Sequence, residues 1–279
     1  MRIPPKYTQM AAVGLLGAAT LLTVAVLVFI IVFVLDKGLP AVTWKFLSSD
    51  QEDMGRAGGI FPMIVGTLLL PLLALAIALP LGVGTAVYLC EYTRETRSTR
   101  TIRFGTDCLA GIPSIIFGLF GLVFFVEILH MGWSLLSGGL TLAIMILPTI
   151  IRTAEEAIRA VPQAYREVSC SMGATRWETV RNVVLPNALP GIVTGVMLGT
   201  GRCISETAAV IFTAGMVAQV PVSAFDSVRT MAVHFYILAR EGISTENAYG
   251  TAAVLILAVL LVNLTAYWTM HAFLRRRAR

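Results

Sequence analysis

The chain has 279 residues, of which 57% are hydrophobic and only 13% are charged, and its mean hydropathy is +0.81. A soluble globular protein carries roughly 25% charged residues, so this composition excludes that class and indicates a membrane protein. The net charge of +5 would suit a nucleic-acid-binding protein, but the basic residues cluster just outside the apolar segments. We therefore predict no nucleic-acid partner.

Six stretches are apolar and long enough to cross a bilayer, which takes about 20 helical residues. In chain order they are Met10–Leu35, Ala57–Cys90, Leu109–Val126, Met131–Ile151, Ala188–Val220 and Asn247–Leu274. The second is too long for one upright helix, and Pro62, Pro71 and Pro80 are expected to kink or break it. The sequence thus predicts an all-α membrane protein with six transmembrane helices, in contact with membrane lipid.

Lys and Arg residues predict the orientation, because cytoplasmic loops carry an excess of them. Fifteen of the 21 lie in the two termini and in loops 91–108 and 152–187, five lie in the alternate loops, and Arg202 lies inside a span. Both termini are therefore predicted to be cytoplasmic. The loops predicted to face outward are residues 36–56, 127–132 and 221–246.

Two charges interrupt the fifth stretch. Arg202 and Glu206 are four residues apart, a spacing that would place both on one face of a helix. A charge at the centre of a bilayer costs at least ~2.5–3.5 kcal/mol, so such residues usually line a polar path or pair with each other. Both readings stay open from the sequence: the pair lines a path for a charged solute, or it is a salt bridge that locks helix packing.

The predicted cytoplasmic loop at residues 152–187, called here the coupling loop, has a helical pattern. We expect one short helix from Gln163 to Met172, a turn at Gly173, and a second short helix that begins after Thr175. Glu178 stands three residues after Thr175, which makes a capping box. The loop therefore predicts two short helices at an angle to each other.

The coupling loop resembles the EAA-x3-G-x9-I-x-LP signature of ABC importer permeases. The matching residues are Glu167, Gly173, Leu185 and Pro186, while Val168 and Val183 depart from the signature's Ala and Ile. Further segments are similar to the permease subunits of phosphate-specific ABC importers. They are Gly58–Thr67, Ala78–Leu89, Gly111–Gly121 and Gly201–Val210, so the resemblance covers nearly the whole chain after residue 55.

This resemblance implies a type I ABC importer (MetI-like) permease fold with a cytoplasmic coupling helix. It implies a permease core at residues 56–279, preceded at residues 1–55 by a tail, the first transmembrane helix and an outward loop. It also implies that Arg202 and Glu206 belong to a phosphate path. The residues expected to form the ATPase contact are Glu167, Gly173, Ala174, Thr175, Arg176, Trp177, Leu185 and Pro186.

The same resemblance implies the partners and the location. They are a second, related permease subunit in a heterodimer, two ATPase subunits, and an extracytoplasmic phosphate-binding protein, in the cytoplasmic (inner) membrane of a bacterium or archaeon. The chain contains no GxxxxGK[ST] motif, so ATP and Mg²⁺ are expected to be used by the partner ATPase. We expect this chain to bind no cofactor and, because its cysteines and histidines lack zinc spacing, no metal.

Small residues predict close helix packing. Gly191, Gly195 and Gly199 recur every four residues, which favours the close approach of a second helix. Ser114 follows Pro113, where a bend would free backbone groups, and is a further candidate for the solute path. In the loop 221–246 an apolar stripe near helical spacing would lie on the membrane surface or touch a binding protein, and it consists of Phe225, Val228, Ala232, Phe235 and Tyr236. His234 is expected to be a loop or interface residue.

Four alternatives remain from the sequence. The chain could be the sister permease subunit, or a permease for sulfate, molybdate or phosphonate. It could be an anchor that only recruits a soluble partner, but that role leaves the cost of Arg202 unexplained. An intramembrane enzyme is disfavoured, because the chain contains no HExxH, GxSxG or paired intramembrane aspartates.

Overall fold

The computed structural model describes residues 5–277, so Arg2 and Arg279, two of the charges predicted to be cytoplasmic, lie outside it. The helices are α1 (Pro5–Gly38), α2 (Trp44–Ser48), α3 (Phe61–Val87), α4 (Arg97–Ala110), α5 (Ser114–Gly121), α6 (Leu135–Ala160), α7 (Gln163–Ser171), α8 (Arg176–Thr179), α9 (Leu185–Ser205), α10 (Ala208–Thr213), α11 (Met231–Arg240) and α12 (Thr245–Arg277). Two short antiparallel strands, β1 (Gln51–Glu52) and β2 (Ala57–Gly58), lie between α2 and α3.

Three π turns lengthen these helices. Tyr88–Tyr92 extends α3, Leu122–Ile128 extends α5, and Val180–Val184 joins α8 to α9 without a break. Five segments of the described chain are then long and apolar enough to cross a membrane, and the pair α4 and α5, bent by 99°, makes a sixth if it is counted as one span. The bend falls at residues 111–113, beside Pro113, where the sequence predicts one.

The prolines of α3 do not break it. Pro71 and Pro80 lie inside a helix that continues to Val87, so of the two expected effects, a kink or a break, the break does not occur. Pro62 lies in the first turn, where a missing N–H group leaves no helical hydrogen bond unmade.

The core lies where α6 packs against α3 on one side and α9 on the other. The side chains of Leu70, Ala74, Leu142, Ile146 and Val210 are fully buried there. In contrast, α1 buries none of its most apolar window and packs only near its end, where Gly38 lies against Tyr249 of α12. Its apolar surface is therefore suited to lipid, and α6 is the helix around which the others are arranged.

Candidate functional site

The prediction of one apolar span over residues 188–220 is wrong beyond Ser205. Helix α9 ends at that residue, and Glu206 follows in an extended conformation with φ −74° and ψ 131°. A separate short helix, α10, begins at Ala208. The Glu206 carboxylate accepts a hydrogen bond from the Ala209 N–H at 3.3 Å, which satisfies one of the donors that the start of a helix leaves unpaired. Arg202 and Glu206 therefore do not share one helical face.

The break leaves Arg202 at the end of α9. Its side chain is half-buried and makes no hydrogen bond or ion pair within residues 5–277, so the predicted Arg202–Glu206 salt bridge is not formed. The last carbonyl groups of a helix carry partial negative charge, which makes this a favourable place for a cation. The N–H groups of the guanidinium thus remain available to an oxyanion, for which its planar fork is well suited.

Ser114 lies at the level of this break. A Cβ atom at Gly118 of α5 would come 2.8 Å from the Ala209 Cα atom, and one at Gly121 would touch Thr213. Helices α5 and α10 therefore run side by side in the same direction, without room for a side chain at either glycine. Ser114 begins α5, one turn before Gly118, and Glu206 lies just before the start of α10. Because the two helices run in the same direction, the two candidates lie at the same end of the helix pair.

Two of the three predicted packing glycines lie in tight contact with α6. A Cβ atom at Gly191 would come 2.5 Å from Ala157 Cβ, and one at Gly195 would clash with Thr153. At Gly199 the nearest atom would be 3.7 Å away, which is an ordinary contact. The close approach of α6 and α9 thus depends on the two glycines nearer the coupling loop.

The coupling loop contains the predicted turn and capping box. Gly173 has φ +85°, a conformation that favours glycine. The Thr175 hydroxyl accepts from the Glu178 N–H at 3.3 Å, and the Glu178 carboxylate accepts from the Thr175 N–H at 2.8 Å. The second short helix is not separate, however, because α8 continues through the π turn into α9 and passes Leu185 and Pro186 without a stop.

This loop presents an exposed apolar surface. The exposed side chains on α7 and at the turn include Tyr165, Val168, Met172 and Trp177. Large apolar groups in such a position are typical of a surface that a partner covers. Of the other predicted contact residues, Glu167 lies on α7, Ala174 lies in the turn, and Arg176 begins α8.

An ion pair that sequence analysis missed holds α7 in place. Arg166 of α7 donates from Nη2 to Glu91 Oε1 at 2.7 Å and from Nε to the same oxygen at 3.1 Å. It also donates to the carbonyl oxygens of Ile158 and Val161, at the end of α6. The two charged side chains are only 15% and 13% exposed. One guanidinium therefore connects the coupling loop to α3 and α6.

A model of the family described as "binding-protein-dependent transport system inner membrane component" matches residues 76–279. The chain belongs to this family. It is 32% identical over 279 residues to the probable ABC transporter permease protein YqgI of Bacillus subtilis, with 94% of this chain and 95% of the relative covered. It is 34% identical over 260 residues to the phosphate transport system permease protein PstA 1 of Mycobacterium tuberculosis, with 90% and 84% covered.

Solved structures of ABC importers confirm the predicted fold. The chain aligns with a bacterial ABC transporter involved in alginate import at a TM-score of 0.65 and 15% identity, over 96% of this chain and 99% of that one. It aligns with the MetNI methionine ABC transporter at a TM-score of 0.62 and 20% identity, over 77% and 94%. The type I ABC importer permease fold is therefore established, and at these identities the likeness concerns the fold alone.

A second carboxylate joins further helix ends of the permease. Glu155 of α6 accepts from Arg103 Nε and from Arg159 Nη2, both at 2.6 Å. Arg103 lies on α4, so this pair joins α4 to α6. The Glu155 side chain is 10% exposed. The described ends of α3, α4, α6 and α7 are thus linked by two buried carboxylates, neither of which the sequence singled out.

The loop before α11 differs from its prediction. Val228 and Ala232 are buried, so the predicted apolar stripe is not one exposed face, although Phe225 is exposed. His234 was expected at a loop or interface and is instead 1% exposed within the protein. Burial, together with the nearby charge of Arg229, lowers the pKa of His234 to about 4, so this histidine is neutral.

Proposed function

We propose that this permease is one of two related transmembrane subunits of an ATP-driven phosphate importer. The observation that carries the proposal is Arg202, a guanidinium that lies at a helix break inside an apolar segment and has no anionic partner among residues 5–277. The chain is also 34% identical to a phosphate transport system permease protein. An unpaired charge in this position has a physical reason if an anion passes it. The phosphate oxygens are acceptors that match the guanidinium fork.

Glu206 has a role distinct from that of an ion-pair partner. Its Oε1 atom accepts from the Ala209 N–H, which holds the carboxylate beside the break without neutralising Arg202. An ionised carboxylate only accepts hydrogen bonds, so it favours an anion that carries a proton to donate. Phosphate is protonated near neutral pH, whereas sulfate is not. We infer that Glu206 contributes to selection of phosphate over sulfate, and that Ser114 at the same level supplies a hydroxyl to the path.

The coupling loop supplies the link to ATP hydrolysis. The exposed surface that includes Val168, Met172 and Trp177 fits docking into an ATPase subunit, with ATP and Mg²⁺ bound by that partner and no cofactor bound by this chain. The full importer would contain two ATPase subunits, the sister permease and an extracytoplasmic phosphate-binding protein. The termini and the coupling loop would lie in the cytoplasm, and α11 with the loop before it would lie outside.

The test is uptake of labelled phosphate in cells that lack only this chain, with sulfate as competitor. Restoration of phosphate uptake by the wild-type gene, undisturbed by excess sulfate, supports the proposal. Restoration of sulfate uptake instead would assign the chain to another oxyanion. Glu206→Gln, which removes the negative charge at nearly constant volume, is expected to keep phosphate uptake measurable but to make sulfate an effective competitor.

A further inference from the structure

A second guanidinium carries a charge that no described carboxylate offsets. Arg229, just before α11, donates from Nε to the Met216 carbonyl oxygen at 2.6 Å and from Nη1 to Gln51 Oε1 at 2.9 Å. Its Nη1 atom also lies 3.4 Å from His234 Nδ1. The backbone carbonyl and the Gln51 amide are neutral groups, and the buried His234 is uncharged as well. These bonds fix the direction of the guanidinium, but no carboxylate in the described part of the chain pairs with its charge.

The surroundings increase the cost of this charge. Partial burial lowers the pKa of Arg229, which shows that the protein environment disfavours the cation. Helix α11 begins two residues later, at Met231, and the positive end of its dipole lies on the same side. Asp226, the nearest carboxylate along the chain, accepts from the Val222 and Ser223 N–H groups at 2.8 Å and so closes a turn instead.

The guanidinium retains donors for a ligand. Five N–H groups are present, and the two on Nη2 have no acceptor in the part of the chain that the structure describes. The Nε bond lies at the surface, whereas the Nη1 bonds are partly buried. Both sides of the group are therefore anchored to the protein. Nη2 is not buried, because the described residues contain no buried side-chain nitrogen without a hydrogen-bond partner.

Arg202 and Arg229 are related through the short helix α10. Arg202 and Glu206 precede α10, and Met216, which binds Arg229, follows it by three residues. A helix of six residues rises about 9 Å. The chain thus leads from Arg202 through α10 to the carbonyl group that accepts from Arg229.

We propose that Arg229 forms an oxyanion-binding site that holds inorganic phosphate before it reaches Arg202. This inference rests on the proposed phosphate transport and on the proposed outward position of α11. The site attracts phosphate through a preoriented Nη2 group and the positive end of α11. While it is bound, the anion offsets the positive charge of Arg229.

The test uses the assembled wild-type importer in lipid nanodiscs. Arginine modification by phenylglyoxal is followed by mass spectrometry, with and without inorganic phosphate. Phosphate is expected to slow the modification of Arg229 at least fivefold. Arg240, an arginine at the other end of α11 that is held by the Tyr236 hydroxyl, is the internal control and is expected to change less than twofold.

Two variants separate anion binding from a structural clamp. Arg229→Gln is expected to weaken binding of labelled phosphate to the importer at least tenfold at an unchanged melting temperature. Gln51→Ala removes a clamp partner but leaves the charge, and is expected to remain within twofold of the wild type. If Arg229→Gln does not assemble, the footprinting of the wild-type protein decides.

Three results would overturn the assignment. The first is an Arg229 modification rate that phosphate does not change, and the second is a loss in Gln51→Ala as large as in Arg229→Gln. The third is protection of Arg229 by the phosphate-free binding protein alone, which would make Arg229 a protein contact. Failure of the proposed function looks different, because the wild-type importer would then neither bind nor take up phosphate.

Discussion

The ion pair between Glu91 and Arg166 predicts how firmly the coupling loop is held. Glu91→Gln keeps the shape of the side chain but leaves the Arg166 charge without a partner at 15% exposure. Removing one partner of a buried pair costs about 3–5 kcal/mol. We expect the lower value, about 3 kcal/mol, because the carbonyl oxygens of Ile158 and Val161 still accept from the guanidinium.

Hydrogen–deuterium exchange of α7 in the assembled importer measures this cost. A loss of about 3 kcal/mol in local stability corresponds to roughly hundredfold faster exchange of the α7 amides. Phosphate-stimulated ATP hydrolysis is expected to fall, while basal hydrolysis continues, because α7 no longer moves together with α3 and α6. The control is Glu156→Gln, which breaks an exposed pair with Arg152 on α6, where both side chains are more than 60% exposed. Unchanged α7 exchange in Glu91→Gln, or equal acceleration in Glu156→Gln, would refute the reasoning.

Three further predictions follow from local geometry. Gly195→Ala forces α9 away from α6 and is expected to destabilise the protein by about 1–3 kcal/mol, whereas Gly199→Ala is tolerated. Thermal unfolding in detergent compares the two variants, and equal melting temperatures would count against close packing at Gly195. Thr175→Ala removes half of the capping box and is expected to cost about 1 kcal/mol, seen as faster amide exchange at residues 176–179, with no change there as the contrary result. In the folded protein the pKa of His234 is about 4, against an ordinary value of 6.5. The folded state therefore loses stability as the pH falls from 6.5 towards 4, because the unfolded chain takes up a proton first. His234→Asn should flatten the dependence of the melting temperature on pH in this range, and an unaltered slope would contradict the assignment.

The spans were predictable because apolar length depends on composition alone. The predicted segments Met10–Leu35, Met131–Ile151 and Asn247–Leu274 lie within or overlap α1, α6 and α12. Their ends are displaced by a few residues, except that α6 continues beyond Ile151 to Ala160. Thr175 and Glu178 also revealed their capping box, since that motif is local in sequence. The signature in the coupling loop led to the correct family for the same reason.

The break after Ser205 was not predictable from hydropathy. Residues 188–220 read as one apolar segment, and the regular spacing of Arg202 and Glu206 suggested a continuous helix. The competing interaction is local: the Glu206 carboxylate caps the start of α10 instead of pairing along α9. The only signal is the succession Ser205, Glu206 and Thr207, because such side chains compete for backbone N–H groups.

The tertiary ion pairs lay beyond sequence analysis for a different reason. Glu91 and Arg166 are 75 residues apart, and Arg103 and Glu155 are 52 apart. No periodicity connects such positions, and they meet only because α6 brings the ends of α3, α4 and α7 together. His234 is a similar case, since its burial depends on the packing of α11 and not on its neighbours in the chain.

Replacement of Arg202 tests the central claim most directly. Uptake of labelled phosphate is measured in reconstituted importers that carry Arg202→Met, with Arg240→Met as the matched control. Loss of charge-assisted hydrogen bonds worth about 1.5–3 kcal/mol predicts a fall in uptake of roughly tenfold to hundredfold, at normal assembly and abundance. Wild-type uptake in assembled Arg202→Met importers would contradict the account, because the unpaired guanidinium at the helix break would then play no part in moving the anion.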